Sequence, residues 1–254
     1  MRAALVFSRK EAFEILRTWR IYVLPAIFLL FAVTGPLLAK YTPELLTAVA
    51  GDQFSGLRLP EPRVSDAYAQ WIKNLSQIGL FALIIIYGGI VSSERRGGTA
   101  VLVLTKPLSR AAFVIAKAVV HGLYLSVVLI AGTLVTWGVS AAVFGDAPGG
   151  SLWAAALTWL VLALVYLSLM VFFSVLIPSA AGAAGAGLGV FVVFSVGGLW
   201  KPIADYSPAG LLGRATTLAS GESTASLLWP VLVSLLICAI AVALATLLFR
   251  RQEL

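Results

Sequence analysis

The sequence predicts an all-α integral membrane protein with six transmembrane helices. Three observations predict it. Of 254 residues, 60% are apolar and only 11% are charged, with a mean hydropathy of +0.99, whereas soluble domains carry about 25% charged residues. Apolar runs of about 20 residues, the length a helix needs to cross a bilayer, recur six times. The basic residues collect on one side of those runs. A soluble globule of this length would need far more polar surface over its core. Disorder, a disulfide scaffold and a nucleic-acid partner are excluded on the same grounds, and the lone Cys238 has no internal partner.

The elements follow in chain order. Over residues 5–20, Ala12, Ile15, Leu16 and Trp19 repeat at helical spacing, while Lys10, Glu14 and Arg17 fall on another side with complementary charge. This segment is too charged to insert. It is expected as an amphipathic elbow helix at the membrane surface, with Ile15, Leu16 and Trp19 as its apolar stripe; the plainer alternative is a basic tail. The six spans are expected at about 21–39, 75–92, 118–144, 152–177, 180–200 and 227–249, within one domain covering 1–254. The first run is followed by Leu38-Ala39-Lys40 rather than a small-x-small cleavage site, so it reads as a retained span. No charge separates Asp146 from Lys201, a stretch too long for one crossing, and Pro178-Ser179 is the expected turn. Residues 40–74, with three prolines and mixed charge, read as a loop with room for short helices. Residues 201–226 carry Pro202 and Pro208 and leave open whether the chain dips back into the membrane. The fifth run holds Gly182, Gly185, Gly187, Gly189, Gly197 and Gly198, which suits close helix packing better than a nucleotide fingerprint.

Orientation follows from charge. With the N-terminus inside, twelve of the 18 basic residues and four of the 11 acidic ones face the cytoplasm, so the inside nets +8 and the outside −1. Positive-inside asymmetry of this size places both termini in the cytoplasm; the membrane is expected to be the plasma membrane.

Much chemistry is missing from the sequence. There is no G-x-x-x-x-G-K-[ST] phosphate loop, no H-E-x-x-H and no Cys, His or carboxylate cluster for a metal, so no catalytic residue, metal or cofactor is expected on this chain. Ser140 and the sole histidine, His121, lie on one helix about 28 Å apart at 1.5 Å per residue, too far for a nucleophile–base pair. Lys117 and His121 open the third span; Lys117 is expected to snorkel to the interface and His121 to bond a neighbouring helix. An ion-coupled carrier usually needs an ionisable group near the midplane, and the spans offer almost none.

The informative segment is 92–110, between the second and third runs. It contains Glu94, Gly98-Thr99, the apolar run with Leu102 and Leu104, then Pro107, Ser109 and Arg110. The run is too short to span; it reads as a short helix capped by Thr99 or as a strand. Glu94 and Arg110 bracket it and are expected to fix its ends through the loop backbone, each other or a partner. An apolar patch framed by charge suits docking to another protein; an ordinary surface connector is the alternative.

Glu94, then Gly98-Thr99, the leucine run, Pro107-x-Ser109-Arg110 and Lys117 resemble the ABC-2-type permease family of ABC transporters, with Leu108 where Val or Ile is usual. The resemblance covers the whole chain. It implies a cytoplasmic coupling helix between spans two and three that sits on a separate ATPase subunit. It also implies two ATPase copies carrying ATP and Mg, and a second permease copy or a related permease. The function it implies is the membrane subunit of an ATP-driven exporter. The rival readings are an ATP-independent carrier and a non-transporting anchor or assembly subunit. The substrate and its binding residues are not legible.

The orientation is tested by labelling single cysteines in a Cys238→Ala background. Gln53 and Ser223 should label from outside in intact cells, and Ser93 and Gln252 only after permeabilisation. External labelling of Ser93 would overturn the topology.

Overall fold

The computed structural model describes residues 2–50, 61–99 and 108–252. Among these residues the chain is helical without strands, and six helices are long and apolar enough to cross a membrane. Helix α1 (Arg2–Arg17) breaks at Thr18–Trp19, and α2 (Arg20–Ala50) follows at once as the first span. It continues through Pro25, Pro36 and Pro43, well past the expected end at residue 39. The second span starts early too. Helix α3 (Val64–Asn74) opens where the Arg63 amide donates to the Asp66 carboxylate at 2.8 Å, then runs through a π-turn at Leu75–Gly79 into α4 (Leu80–Tyr87). Much of 40–74 is thus helix rather than loop. The physical reason is the buried stripe Ala67, Tyr68, Trp71 and Ile72 on α3, which packs on α2 and is diluted in the composition by the charges between.

After the short α5 (Ser92–Arg96) comes α6 (Arg110–Phe144), the third span. Ser109 caps it, its hydroxyl accepting from the Ala112 amide at 3.1 Å. It stops at Gly145, whose φ of +85° suits glycine. The fourth span is α7 (Gly149–Leu176) and the fifth α8 (Ala180–Gly197). The expected turn lies between them: Ile177 is extended, and the Ser179 hydroxyl accepts from the Gly182 amide at 3.3 Å to start α8. The sixth span is α11 (Leu228–Arg251). Helix α7 is the hub, touching α3, α4, α6, α8 and α11.

The glycines of α8 divide by face. Gly187 fits against Met170 and Ile84, where a Cβ would come within 2.5 Å of the Met170 sulfur, while Gly185 and Gly189 have nothing within 4 Å. Close packing explains the former and not the latter.

The connection between spans five and six turns back on itself. It consists of α9 (Lys201–Tyr206), a 3₁₀ turn at Pro208–Gly210 and α10 (Leu211–Ala219). Helix α10 packs on α7 and α3. Pro208, Ala209 and Leu212 enclose one small space with Leu80, Leu162, Tyr166, Phe191 and Phe194. Leu162 and Tyr166 are midway along α7, so the corner of this hairpin reaches well into the depth of the bundle. At the corner the Gly210 amide donates to the Ser207 carbonyl and the Ala209 amide to the Ser207 hydroxyl, the kind of internal pairing that a non-spanning segment needs at depth.

The corner depends on Gly210, where a Cβ would collide with the Ala204 carbonyl. Gly210→Ala is expected to cost about 1–3 kcal/mol as an overpacked site. Gly213→Ala, inside α10 with nothing within 4 Å, should not destabilise and is expected to gain up to about 1 kcal/mol. Thermal unfolding of the two purified variants in detergent checks this pair.

Candidate functional site

One side of α1 carries Phe7, Glu11 and Ile15, spaced four apart and 5%, 1% and 3% exposed. This stripe packs on α6, so the inward face of the N-terminal helix includes an acid. Of the three apolar residues expected to form the stripe, Ile15 is inside, whereas Leu16 and Trp19 are on the outer surface.

Glu11 meets Lys117, two turns into α6. The Lys117 ammonium is fully buried, 2.8 Å from Glu11 Oε2 and 2.5 Å from Glu94 Oε1. It does not snorkel to the surface, because both carboxylates reach it where it stands. Rings close the rest of its surroundings: Nζ lies 5.1 Å from the Phe113 ring centroid and 6.0 Å from that of Phe7. Phe113 stacks on Phe7 at 5.1 Å and on Phe249 of α11 at 5.2 Å. Lys10 then bridges the acids from the rim. It is 3.0 Å from Glu11, 3.8 Å from Glu94, and paired with Glu14 one turn on. His121 Nε2 is 3.8 Å from Glu11 Oε2, beyond hydrogen-bond distance, and its ring packs edge-on against Tyr87 at 5.1 Å.

Glu11 and Glu14 of α1 and the distant Glu94 therefore have oxygens within 4.8 Å of one another. The sequence alone shows no such cluster. The Lys10 and Lys117 ammoniums pair with these oxygens, so two of the three negative charges are already balanced by the chain's own cations. Burial opposes ionisation of Glu11, but the Lys117 and Lys10 ammoniums outweigh it and hold the carboxyl down at about 2. Burial likewise opposes the charge on Lys10, and Glu14, Glu11 and Glu94 together push its ammonium well above the ordinary range.

The segment starting at Glu94 is anchored on both sides. Before it, the Val91 and Ser92 amides both donate to the Ser174 hydroxyl of α7 at 3.0 Å. Arg95 donates to the Val175 carbonyl at 3.4 Å and to the Gln252 side chain, which itself donates to Val175 at 2.9 Å. After it, Arg110 donates to the carbonyls of Phe249, Arg250 and Gln252 at 3.3, 3.1 and 2.5 Å. A cation there satisfies the carbonyls that a helix leaves open at its C-terminus.

The expected site residues divide accordingly. Glu94 and Arg110 do not pair with each other: Glu94 goes to Lys117 and Arg110 to the end of α11. Gly98 has a φ of +72°, which suits glycine, and the Thr99 hydroxyl donates to the Glu94 carbonyl at 3.2 Å. Ser109 caps α6. Leu102, Leu104 and Pro107, and with them the expected short helix, lie outside the described residues. Sequence reading misses Glu11, Arg95, Ser174 and Gln252. Only Glu11 leaves a signal, as the polar member of the stripe Phe7, Glu11, Ile15.

Comparison with known proteins agrees with this architecture. A family model described as "ABC-2 family transporter protein" matches residues 5–216. The "Uncharacterized transmembrane protein YxlG" of Bacillus subtilis (strain 168) is 25% identical over 262 residues, covering all of this chain and 99% of that protein.

Removing the ammonium tests the site. Breaking one side of a buried pair typically costs about 3–5 kcal/mol, and Lys117→Met is expected to destabilise by that order, with Glu11→Gln plus Lys117→Met recovering part of the loss. Acid should act through Glu11. Its depressed carboxyl contributes stability in full above its unbound value near 4.5 and loses it as pH falls toward 2. Melting temperatures between pH 7 and 3 should fall less steeply in Glu11→Gln than in wild type.

Proposed function

The chain belongs to the ABC-2 transporter family, and from that premise we propose that it is the transmembrane subunit of an ATP-driven exporter whose ATP hydrolysis occurs on a separate ATPase chain. Two such ATPases, with their ATP and Mg, would work with two permease chains in the plasma membrane. The termini and the segment between spans two and three would lie on the cytoplasmic side.

One observation carries the reading. Both flanks of the 97–109 segment are bonded to different helices: Glu94 to α6 and α1 by way of Lys117, Arg95 to α7 and α11, and Arg110 to α11. A force applied to this segment by a partner therefore reaches four helices through short polar contacts. An ordinary surface connector needs no such anchoring. Energetically, the ATPase shifts the permease between states only by binding them unequally, and the anchored segment is where that difference would be felt.

The apolar residues of the segment would supply the contact and the flanking charges the transmission. Leu102→Asp should weaken co-purification of the ATPase. Glu94→Gln, which keeps an acceptor for the buried Lys117 ammonium, and Arg110→Ala should keep the complex but lower substrate-stimulated ATP hydrolysis severalfold, at normal expression. Wild-type coupling in all three would defeat the assignment and return the segment to a connector. Transport by the chain with no ATPase present would favour a carrier, and an ATPase complex without flux would favour an anchor.

A further inference from the structure

Away from the Lys117 cluster, a second buried charge sits in the hairpin between spans five and six. Arg214 of α10 is 9% exposed at its side chain, and its Nη2 donates to Asp205 of α9 at 2.9 Å. Its Nη1 is buried without a hydrogen-bond partner among the described residues. A guanidinium nitrogen left unpaired in this setting is costly. Nothing in the coupling scheme above uses it.

Arg214 and Asp205 line two adjoining clefts. One, of about 380 Å³, lies between the end of α8 and the hairpin, and Ser195, Thr217 and Thr224 join Arg214 in its wall with Phe194 and Leu199. The other, of about 240 Å³, is bounded by Asp205, Tyr206, Ser226 and Trp229. There the Tyr206 and Trp229 rings stand 6.3 Å apart beside the carboxylate. Val192, Val193 and Val196 next to the first cleft are 59–66% exposed, an apolar path suited to acyl chains.

The geometry points to a headgroup site for a zwitterionic amphiphile, with its phosphate on Arg214 and the hydroxyls, its ammonium between Asp205 and the two rings, and its chains along α8. An anion supplies the acceptor that Nη1 lacks. Aromatic faces beside a carboxylate are the pattern that holds an alkylammonium. A ligand with one charge would satisfy only half of the pair. The inference rests on the membrane placement of the chain and not on the ATPase.

The test is native mass spectrometry of the isolated subunit in detergent with phosphatidylcholine, phosphatidylglycerol of the same chains, phosphocholine or inorganic phosphate. Phosphatidylcholine should be retained at least tenfold better than phosphatidylglycerol, and neither phosphocholine nor phosphate should displace it at equal concentration. Tyr206→Ala plus Trp229→Ala, both exposed positions, should abolish the preference without unfolding the protein. Arg214→Gln should lose both lipids. Equal retention of the two lipids, displacement by phosphate alone, or an unchanged preference in the aromatic variant would overturn the site. Leu102→Asp should bind lipid normally, which separates this result from any failure of the coupling proposal.

Discussion

The ammonium of Lys117 is the charge on which the N-terminal side of the bundle depends. It is out of water, so it persists only with counter-charges at bonding distance. Those come from two other segments: Glu11 on α1 and Glu94 on α5. Neither helix could leave without stranding a charge against Phe113. The amphipathic first helix is therefore fixed by more than its apolar stripe. Undocking it would expose Glu11 to water, take Phe7 away and leave Lys117 half-paired beside Phe113, which makes the docked geometry strongly preferred and specific in register.

The same economy appears at the end of the chain. Arg110 begins α6 and caps the carbonyls that end α11, while Arg95 and Gln252 tie α5 to the last turn of α7. Helix ends at a membrane face have open carbonyls that water would otherwise satisfy. Meeting them with arginines from the flanks of 97–109 joins α5, α6, α7 and α11 into one polar layer. Beyond that layer the spans are apolar. Helices α8 and α11 bury far less of their surface in the chain than α7 does, and they turn valines and leucines outward to lipid or to another chain.

How much of this was legible follows from how local each cause is. The spans and the turn at Pro178-Ser179 were readable, because apolar length and a missing amide donor act within a few residues. The helical extensions through 40–50 and 64–74 were not, since their apolar stripe is interleaved with charge and prolines that read as loop. Lys117 was expected to snorkel, a rule that considers only the lysine's own helix; Glu11 stands over a hundred positions earlier and cancels the reason to snorkel. Arg110 was expected to bond the loop backbone, Glu94 or a partner, yet among the described residues it bonds a helix terminus at the other end of the chain. Long-range electrostatic pairing is what one sequence without its fold cannot display.

Helix α7 connects the two charged regions. At one end its Ser174 and Val175 hold the backbone and arginine that precede the 97–109 segment. At mid-length Leu162 and Tyr166 meet the corner of the hairpin at Pro208–Leu212. Between these points it has no proline or glycine, the residues at which helices most often kink. A tilt imposed at Ser174 is therefore carried along a stiff rod to the hairpin, rather than absorbed on the way. The hairpin is held to α7 by tight apolar packing and to itself by the Arg214–Asp205 pair, so it would move with α7 as a unit. Helix α8 is packed on α7 at Gly187 and Met170, so the change would concentrate at the far end of α8, where the cleft between α8 and the hairpin is the space such a motion would open or close.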